Sequence, residues 1–387
     1  MEKQTKIGIT TLYYNSLNFG GVLQSYALCE VLRQQGYIAE QILVQRVITN
    51  APRKPAWYEY FNVVKVLKKI KRMFSARKEK KSNATLHSLV EERKRAFESF
   101  YALVPHSEVY LQTELENCLE KYDAFITGSD QVWGCGEIDS PYFLGFVPPR
   151  KKKIAYAASI GKTSVDERLR EVFESELDKF DGVSVREKDA VELLKPYTEK
   201  EVVWCLDPTL LLTRADWENI ASERKIDKKY MLCYFLGDDK VHRKVAKEYA
   251  QKYGLKIVTF PHYPANFHKA DEGFGDVCLT DASPQDFLAL IKNADIVFTD
   301  SFHASVFSWH FEKEFFTFGR KRHKGMAGRL YSLMSLLELE GRFIEEIDKD
   351  SLSMIENTGK IDYAKQCLQY ERMKEKSFKY LQKHLEE

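Results

Sequence analysis

Short apolar runs that alternate with longer amphipathic stretches constrain the fold of this chain more than any other feature of its sequence. Lys6–Leu12 predicts a buried strand, and a polar loop that contains two adjacent glycines follows it. Apolar residues at helical spacing from Val22 to Leu32 predict a helix, and Ile38–Val44 predicts the next strand. Such a unit usually begins a parallel sheet, because two parallel strands need a crossover between them.

The same alternation runs through most of the chain and restarts after Asp207-Pro208. Further strands are predicted at Ala124–Thr127, Ile154–Ala157, Val183–Val185, Val202–Cys205, Met231–Leu236, Lys256–Phe260, Ile296–Thr299 and Glu314–Phe318. Predicted helices separate these strands, which indicates an α/β fold with domains at residues 1–206 and 207–355. Within residues 356–387, the amphipathic segment Tyr363–Leu385 predicts a last helix, which we expect to pack back on the N-terminal domain. Ligands bind at the carboxyl ends of parallel strands, so the site is expected in a cleft between the domains.

The size and composition of the chain fit this organisation and exclude several classes of protein. Its 387 residues are enough for two domains, and 44% of them are hydrophobic. With 59 Lys and Arg against 57 Asp and Glu, the net charge of +2 does not indicate a nucleic-acid binder. No apolar run approaches the ~20 residues that span a bilayer, and the N-terminus lacks a signal peptide's apolar core. Seven cysteines without a CxxC pair disfavour a disulfide framework and a zinc site, so we expect a cytoplasmic, metal-free protein.

A basic and aromatic stretch at residues 56–81 departs from the rest of the chain. Its apolar residues recur on one helical face among Lys and Arg residues, which predicts a basic amphipathic insert at about 56–100. One interpretation is a charged helix that is exposed to solvent. A second is peripheral contact with the anionic inner face of the membrane, with Trp57, Tyr58 and Tyr60 at headgroup level. Nucleic-acid binding is a third interpretation, and we expect no such partner.

The loop after the first predicted strand carries the first candidate site, Asn18-Phe19-Gly20-Gly21. Its glycines open the first helix, where backbone N–H groups and the helix dipole favour an anion. The pattern matches neither the dinucleotide motif GxGxxG nor a P-loop, so it does not indicate a dinucleotide or ATP. The alternative is structural, because a tight turn from a strand into a helix also needs glycine.

Polar side chains also follow the predicted strand Ala124–Thr127. Gly128, Ser129 and Asp130 come in a row at its carboxyl end, a position that usually faces a ligand. The alternative is that Ser129 or Asp130 caps a following helix. Trp133 is interpreted either as a core residue or as a platform for a sugar ring.

Ionisable residues follow three other predicted strands. His303 comes after Ile296–Thr299, where an imidazole is suited to acid–base work, although a lone histidine is often structural. Arg186 follows another strand and pairs either with an anion or with a carboxylate on the next helix. The basic loop Arg320–Lys324, with Arg329 soon after it, forms either a solvated surface or a positive wall for phosphate or carboxylate.

Six motifs lie on these predicted elements in the order NFGGVLQSYAL, FITGSDQVW, KIAYAASIG, VSVREKDAVELL, CLDPTLLL and TDSFHASVFSW. Together they closely resemble the bacterial polysaccharide pyruvyl transferase family, over about residues 6–340. The resemblance implies a GT-B-like pair of Rossmann-like domains with an interdomain cleft. It implies transfer of the enolpyruvyl-derived group of phosphoenolpyruvate onto two hydroxyls of a glycan sugar, which forms a pyruvate ketal and releases phosphate. Phosphoenolpyruvate is then a substrate, and no cofactor or metal is needed.

The resemblance also implies roles for the residues that match these motifs. His303 and Asp130 are the expected catalytic residues, with His303 as the acid or as a phosphate contact. The expected donor-binding residues are Arg186, Ser301, Arg329, Asn18, Gly20 and Gly21. The expected acceptor-binding residues are Gln24, Ser129 and Trp133. The acceptor is expected to be a glycan or a lipid-linked saccharide, which would bring a cytoplasmic enzyme to the inner face of the membrane.

Position 301 departs from the family pattern. Some members have Arg two residues before this histidine, whereas this chain has Ser301. We expect Arg320–Lys324 or Arg329 to supply the missing charge. A changed donor is the other interpretation, and it keeps a GT-B-type nucleotide-sugar glycosyltransferase as the alternative function. A non-catalytic glycan-binding protein is a third possibility.

Overall fold

Two parallel β-sheets with accompanying helices form the frame of the protein in a computed structural model. The structure describes residues 4–46, 88–134, 140–224, 226–261, 268–320, 327–348, 350–365 and 367–386. The basic stretch at 56–81 lies outside these residues, so its contact with a membrane stays a prediction. Among the described residues, no helix is both long enough and apolar enough to cross a bilayer.

The first sheet comes from the N-terminal half. Its strands are β1 (Lys6–Thr10), β2 (Ile38–Gln45), β3 (His106–Leu111), β4 (Ala124–Thr127), β5 (Lys152–Ala158), β6 (Gly182–Val185) and β7 (Val202–Trp204). They lie in the order β3-β2-β1-β4-β5-β6-β7, and all neighbours are parallel. The helices of this half are α1 (Phe19–Gln34), α2 (residues 88–101), α3 (Arg170–Glu176) and α4 (Lys188–Leu194).

The second sheet follows the same principle. Its strands are β8 (Tyr230–Tyr234), β9 (Lys256–Thr259), β10 (Val277–Cys278), β11 (Ile296–Thr299), β12 (Glu314–Phe318) and β13 (Phe343–Ile344). They lie in the order β10-β9-β8-β11-β12-β13, again all parallel. The helices are α5 (Arg214–Ile220), α6 (Lys240–Tyr253), α7 (Pro284–Lys292), α8 (Phe302–His310) and α9 (Ala327–Leu336). The prediction of two α/β domains is therefore confirmed.

The last described helices are α10 (Ser351–Asn357) and α11 (Leu368–Glu386). Helix α11 lies against the first sheet, although it follows the second in the chain. The Tyr380 hydroxyl donates to the Ala155 carbonyl of β5 over 2.9 Å. The Leu206 amide donates to Ser377 Oγ over the same distance. These bonds satisfy polar groups in an otherwise buried contact.

Three strands, β3, β10 and β13, were not predicted from the sequence pattern. Each lies at the edge of its sheet. In β3 only Ser107 and Tyr110 are buried, and β10 and β13 have two residues each. Edge strands of this length or exposure show little apolar periodicity, so the sequence pattern does not indicate them.

Aromatic rings pack against each other where the two halves meet. Phe19, the first residue of α1, stacks on Phe287 of α7 with ring centroids 4.6 Å apart. It also contacts Phe260 at 5.4 Å, Tyr234 at 5.8 Å and, within its own half, Phe97 of α2 at 5.1 Å. All five side chains are buried in one cluster that both sheets share. Burial of each phenyl group contributes roughly 1.5–3 kcal/mol, so this packing stabilises the contact between the two halves.

Candidate active site

The carboxyl ends of the two sheets meet at one place between the halves. Asp130 follows β4, Arg186 follows β6 and Asp207 follows β7. His303 lies opposite them, in the first turn of α8, which follows β11 of the second sheet. The site is therefore built from strand ends of the first sheet and a helix start of the second.

Asp207 is the centre of the polar network. Its side chain is fully buried. Oδ2 accepts hydrogen bonds from Arg186 Nη1 over 2.7 Å and from Ser129 Oγ over 3.0 Å. Oδ1 accepts from the amide and the hydroxyl of Thr209 over 3.0 and 2.7 Å. His303 Nε2 lies 3.6 Å from Oδ2, close enough for a strong charge interaction but longer than a hydrogen bond.

The electrostatic state of Asp207 follows from these neighbours. Burial alone would raise the pKa of this carboxyl group, but His303 and Arg186 hold it well below its usual range. Asp207 is therefore a fixed negative charge between a cation of the first half and an imidazole of the second.

Arg186 keeps one edge of its guanidinium without a hydrogen bond. Nη1 is bonded to Asp207, whereas Nε and Nη2 are buried and have no partner among the described residues. Glu187 Oε1 lies 3.8 Å from Nε, and Asp130 Oδ1 lies 3.8 Å from Nη2. The Phe302 ring lies below the guanidinium, with its centroid 4.7 Å from Cζ. The Nε–Nη2 edge is the one that binds a carboxylate or a phosphate through two parallel bonds.

The charge of Arg186 is secured by the same carboxylates. Burial alone would lower the pKa of Arg186, but Asp207, Glu187 and Asp130 raise it above its ordinary value. Arg186 is therefore positively charged at neutral pH.

Arg329 adds a second buried cation to this group. Its Nε has no partner among the described residues. Burial, with Arg320 and Arg186 close by, lowers the pKa of Arg329 to about 9, so the side chain stays charged at neutral pH. Arg320 is paired instead, because its Nε lies 3.3 Å from Asp300 Oδ2. The sequence predicted that either Arg320–Lys324 or Arg329 would supply the positive charge that Ser301 lacks. Arg329 lies in this cluster, whereas residues 321–324 lie outside the described residues.

The glycine loop has a different geometry from the one that the sequence suggested. Asn18 caps α1, and its Oδ1 accepts from the amides of Gly20 and Gly21 over 3.0 and 3.4 Å. These amides are therefore bonded within the loop rather than directed at an anion. The His303 ring lies against the Cα of Gly20, where an added Cβ would be only 2.1 Å from Nδ1. Glycine is needed at position 20 because the imidazole of the other half lies there.

Ser301 and Ser129 have structural partners. Ser301 is the N-cap of α8, and its Oγ accepts from the Ala304 amide over 3.4 Å. Ser129 Oγ lies 3.1 Å from the Ala157 carbonyl in addition to its bond with Asp207. Ser301 thus orients the helix that carries His303, and Ser129 orients Asp207.

Gln24 and Trp133 do not fit the acceptor-binding role expected of them. Gln24 is fully buried, and its amide nitrogen lies 3.0 Å from the Gly21 carbonyl and 3.1 Å from Thr11 Oγ1. Trp133 is 1% exposed, stacks on Phe143 and donates to the Tyr142 carbonyl. A sugar needs an accessible ring face, so Trp133 is a core residue.

Two residues of the site were not among the expected ones. Asp207 comes three residues after the end of β7, so the strand-end rule that selected Asp130 and Arg186 applies to it as well. The Asp-Pro sequence indicated only a restart of the alternating pattern. Glu187 entered the prediction only as a neighbour for Arg186, yet its buried Oε2 has no partner among the described residues.

The fold and this site define a GT-B-like α/β protein with a buried cationic cluster between its two halves. The family model for polysaccharide pyruvyl transferase matches residues 18–322. The chain therefore belongs to the polysaccharide pyruvyl transferase family, a family of transferases, as its motifs predicted. No curated protein gives a significant match to the sequence.

Solved structures share the fold at low sequence identity. UDP-N-acetylglucosamine 2-epimerase from Rickettsia bellii is 11% identical, with a TM-score of 0.52 over 99% of this chain and 98% of that chain. UDP-GlcNAc 2-epimerase from Methanocaldococcus jannaschii is 14% identical, with a TM-score of 0.51 over 94% of each chain. At this identity the similarity shows the fold and nothing of the reaction.

Proposed function

We propose that this protein is a pyruvyl transferase that uses phosphoenolpyruvate to form a cyclic ketal on a sugar of a glycan or a lipid-linked saccharide. The observation that carries the proposal is the buried, unbonded Nε–Nη2 edge of Arg186, with Arg329 beside it. Phosphoenolpyruvate has a carboxylate and a phosphate, so a site for it needs two sets of cationic donors in a place shielded from water. Family membership supports the same reaction.

The donor would lie across the two arginines. The carboxylate would form two parallel hydrogen bonds with the Arg186 edge, and the phosphate would lie near Arg329. Asp130 and Glu187 flank the Arg186 edge at 3.8 Å, so the donor carboxylate would displace these two side chains from the guanidinium when it binds.

Proton transfer is assigned to His303 and Asp130. His303 would protonate the methylene carbon, which leaves an oxocarbenium-like centre at C2 of the donor. One sugar hydroxyl would add to C2, and Asp130 would accept its proton. The bond between C2 and the phosphate oxygen then breaks, and the second hydroxyl closes the ring. Of the two hydroxyl protons, one restores His303 in the net reaction and the other leaves with phosphate.

The donor assignment is tested by thermal shift with phosphoenolpyruvate, inorganic phosphate, UDP, GDP and CMP. We expect phosphoenolpyruvate to stabilise the wild type more than phosphate does, because a ligand that binds only the native state raises its stability. Arg186→Lys keeps a charge beside Asp207 but lacks the two-donor edge, so it should lose most of this effect. The matched control is Arg168→Lys, at an arginine whose side chain is 68% exposed.

Two results would contradict the proposal. One is an equal response to phosphoenolpyruvate in Arg186→Lys and in the control. The other is stabilisation by a nucleotide without any response to phosphoenolpyruvate, which would favour the nucleotide-sugar glycosyltransferase instead.

A further inference from the structure

A separate cavity lies beside the two arginines, between α4, the loop after β5 and the start of α9. Its volume is about 170 Å³. One water molecule needs only ~10–15 Å³ of such volume, and drug-sized ligands occupy sites of ~300 Å³ or more. The cavity therefore has the size for one small ring rather than for solvent alone or for a nucleotide.

Two residues that line the cavity carry buried polar atoms without hydrogen-bond partners among the described residues. Glu187 Oε1 accepts a hydrogen bond from Ser159, whereas Oε2 has no partner among the described residues. Arg329 also lines the cavity, and its Nε is likewise unbonded. An unpaired buried polar group destabilises the folded protein, and a ligand that bonds to both groups would offset this cost. The lining residues thus carry one unused acceptor, on Glu187, and one unused donor, on Arg329.

The charged groups that line this cavity are balanced. Glu187 and Asp189 line it together with Lys162 and Arg329, so two carboxylates face two cations, and the cavity favours a neutral ligand over an anion such as phosphoenolpyruvate. A carboxylate oxygen readily accepts a hydrogen bond from a neutral hydroxyl, and Arg329 can donate to a hydroxyl or ring oxygen. Leu193 supplies apolar surface on the wall. This combination suits a neutral polyhydroxylated ring.

We propose that the cavity binds the sugar of the acceptor that receives the pyruvyl group, a neutral hexopyranose. Glu187 accepts a hydrogen bond from one of its hydroxyls, and Arg329 Nε donates to another oxygen. The inference rests on the proposed function, because it adds the acceptor to the donor site described above. Arg329 also lines the narrow space formed by Arg186, Asp207 and Phe302, so the two sites share a wall. Glu187 Oε1, 3.8 Å from Arg186 Nε, places the sugar next to the donor.

The mouth of the cavity adds a prediction about the kind of acceptor. Lys162, Thr163 and Asp189 line it and are exposed, whereas Glu187 and Arg329 are buried. A sugar that enters from the mouth leaves the rest of its chain in solvent. The structure thus favours a sugar at the end of a glycan over one within it.

The proposal is tested by saturation-transfer NMR with the methyl glycosides of glucose, galactose and mannose, which needs no donor. Glu187→Gln removes the charge with little change of shape, and Gly328→Leu fills the cavity from the first turn of α9. Gly328→Ala is a milder variant, since its Cβ would meet only Asp189 Oδ2, at 3.9 Å. The matched control is Glu192→Gln, which makes the same change in α4 at a side chain that is 72% exposed.

We expect at least one glycoside to bind the wild type and Glu192→Gln. Its affinity should fall about tenfold or more in Glu187→Gln, as for a lost charged hydrogen bond, and binding should be abolished in Gly328→Leu. The thermal response to phosphoenolpyruvate should be the same in Gly328→Leu as in the wild type, which also shows that the variant is folded. If Gly328→Leu does not fold, Gly328→Ala should still weaken glycoside binding.

The proposal is overturned if no glycoside binds the wild type, or if binding is unchanged in Glu187→Gln and in the folded Gly328 variants. A wild type that binds a glycoside but not phosphoenolpyruvate would contradict the proposed function alone. The two failures are therefore distinguishable in one set of samples.

Discussion

At the scale of single residues, burial changes the pKa of His310, the last residue of the helix that carries His303. Its Nε2 lies 2.8 Å from the Thr209 carbonyl, so this nitrogen carries the proton and donates it. Burial lowers the pKa of His310 to about 4. The folded protein therefore prefers the neutral ring.

This preference predicts a loss of stability in mild acid. An unfolded histidine has a pKa of about 6.5, so the stabilising effect is complete above that pH and is lost as pH falls towards 4. Between pH 7 and pH 5 the free energy of unfolding should fall by about 2 kcal/mol through this residue. Denaturant unfolding at both pH values should show a smaller fall in His310→Gln. His106→Gln, at an exposed histidine, should behave like the wild type. Equal pH dependence in all three proteins would contradict the assignment.

Much of the site, but not all of its bonding, was predictable residue by residue. The strand-end rule brought Asp130, Arg186 and His303 together, because parallel strands all end at one edge. Trp133 was left open between a core residue and a sugar platform, and it lies in the core, since a motif near a strand end does not reveal the direction of a side chain. The bond from the Gly20 amide to Asn18 is one that an asparagine before a helix commonly makes, so the residue type could have indicated it. No sequence pattern shows that one edge of Arg186 is unbonded, because this depends on which atoms meet in the folded protein.

At the scale of elements, α11 attaches the end of the described chain to the first sheet. Tyr380→Phe removes the hydroxyl that donates to Ala155 and leaves that carbonyl with one partner fewer. We expect the free energy of unfolding to fall by about 1 kcal/mol, measured by denaturant titration. Tyr253→Phe is the control, because its residue is 49% exposed and its hydroxyl lies 3.4 Å from Glu356 Oε1. A loss as large in the control as in Tyr380→Phe would mean that the buried bond contributes nothing.

Elements were predictable where apolar residues recur over several positions. The strands β4, β11 and β12 have the predicted bounds. Helix α11 begins at Leu368, later than the predicted start at Tyr363, because the Tyr363 hydroxyl is bonded to the Lys313 carbonyl in a preceding loop. Such a tertiary bond overrides local helical spacing, and nothing in the segment itself indicates it.

At the scale of the whole molecule, the aromatic cluster around Phe19 makes the two halves one cooperative unit. Far-ultraviolet circular dichroism and tryptophan fluorescence should therefore report the same thermal transition. Phe19→Ala removes the ring at the centre of the cluster and should cost about 3–5 kcal/mol of stability. Tyr331→Ala, at a residue that is 59% exposed, should cost far less. Two separate transitions in the wild type would show that the halves unfold independently.

The contact between Gly20 and His303 also limits how the two halves can approach each other. Gly20 belongs to the first half and His303 to the second, and the imidazole occupies the place of an absent side chain. The glycine thus allows helix α1 and the His303 side chain to come into direct contact. In a relative of the same fold with alanine at this position, either the two halves would lie further apart or the histidine would adopt another rotamer. The absence of a side chain at position 20 thus determines how closely helix α1 of the first half and helix α8 of the second can pack.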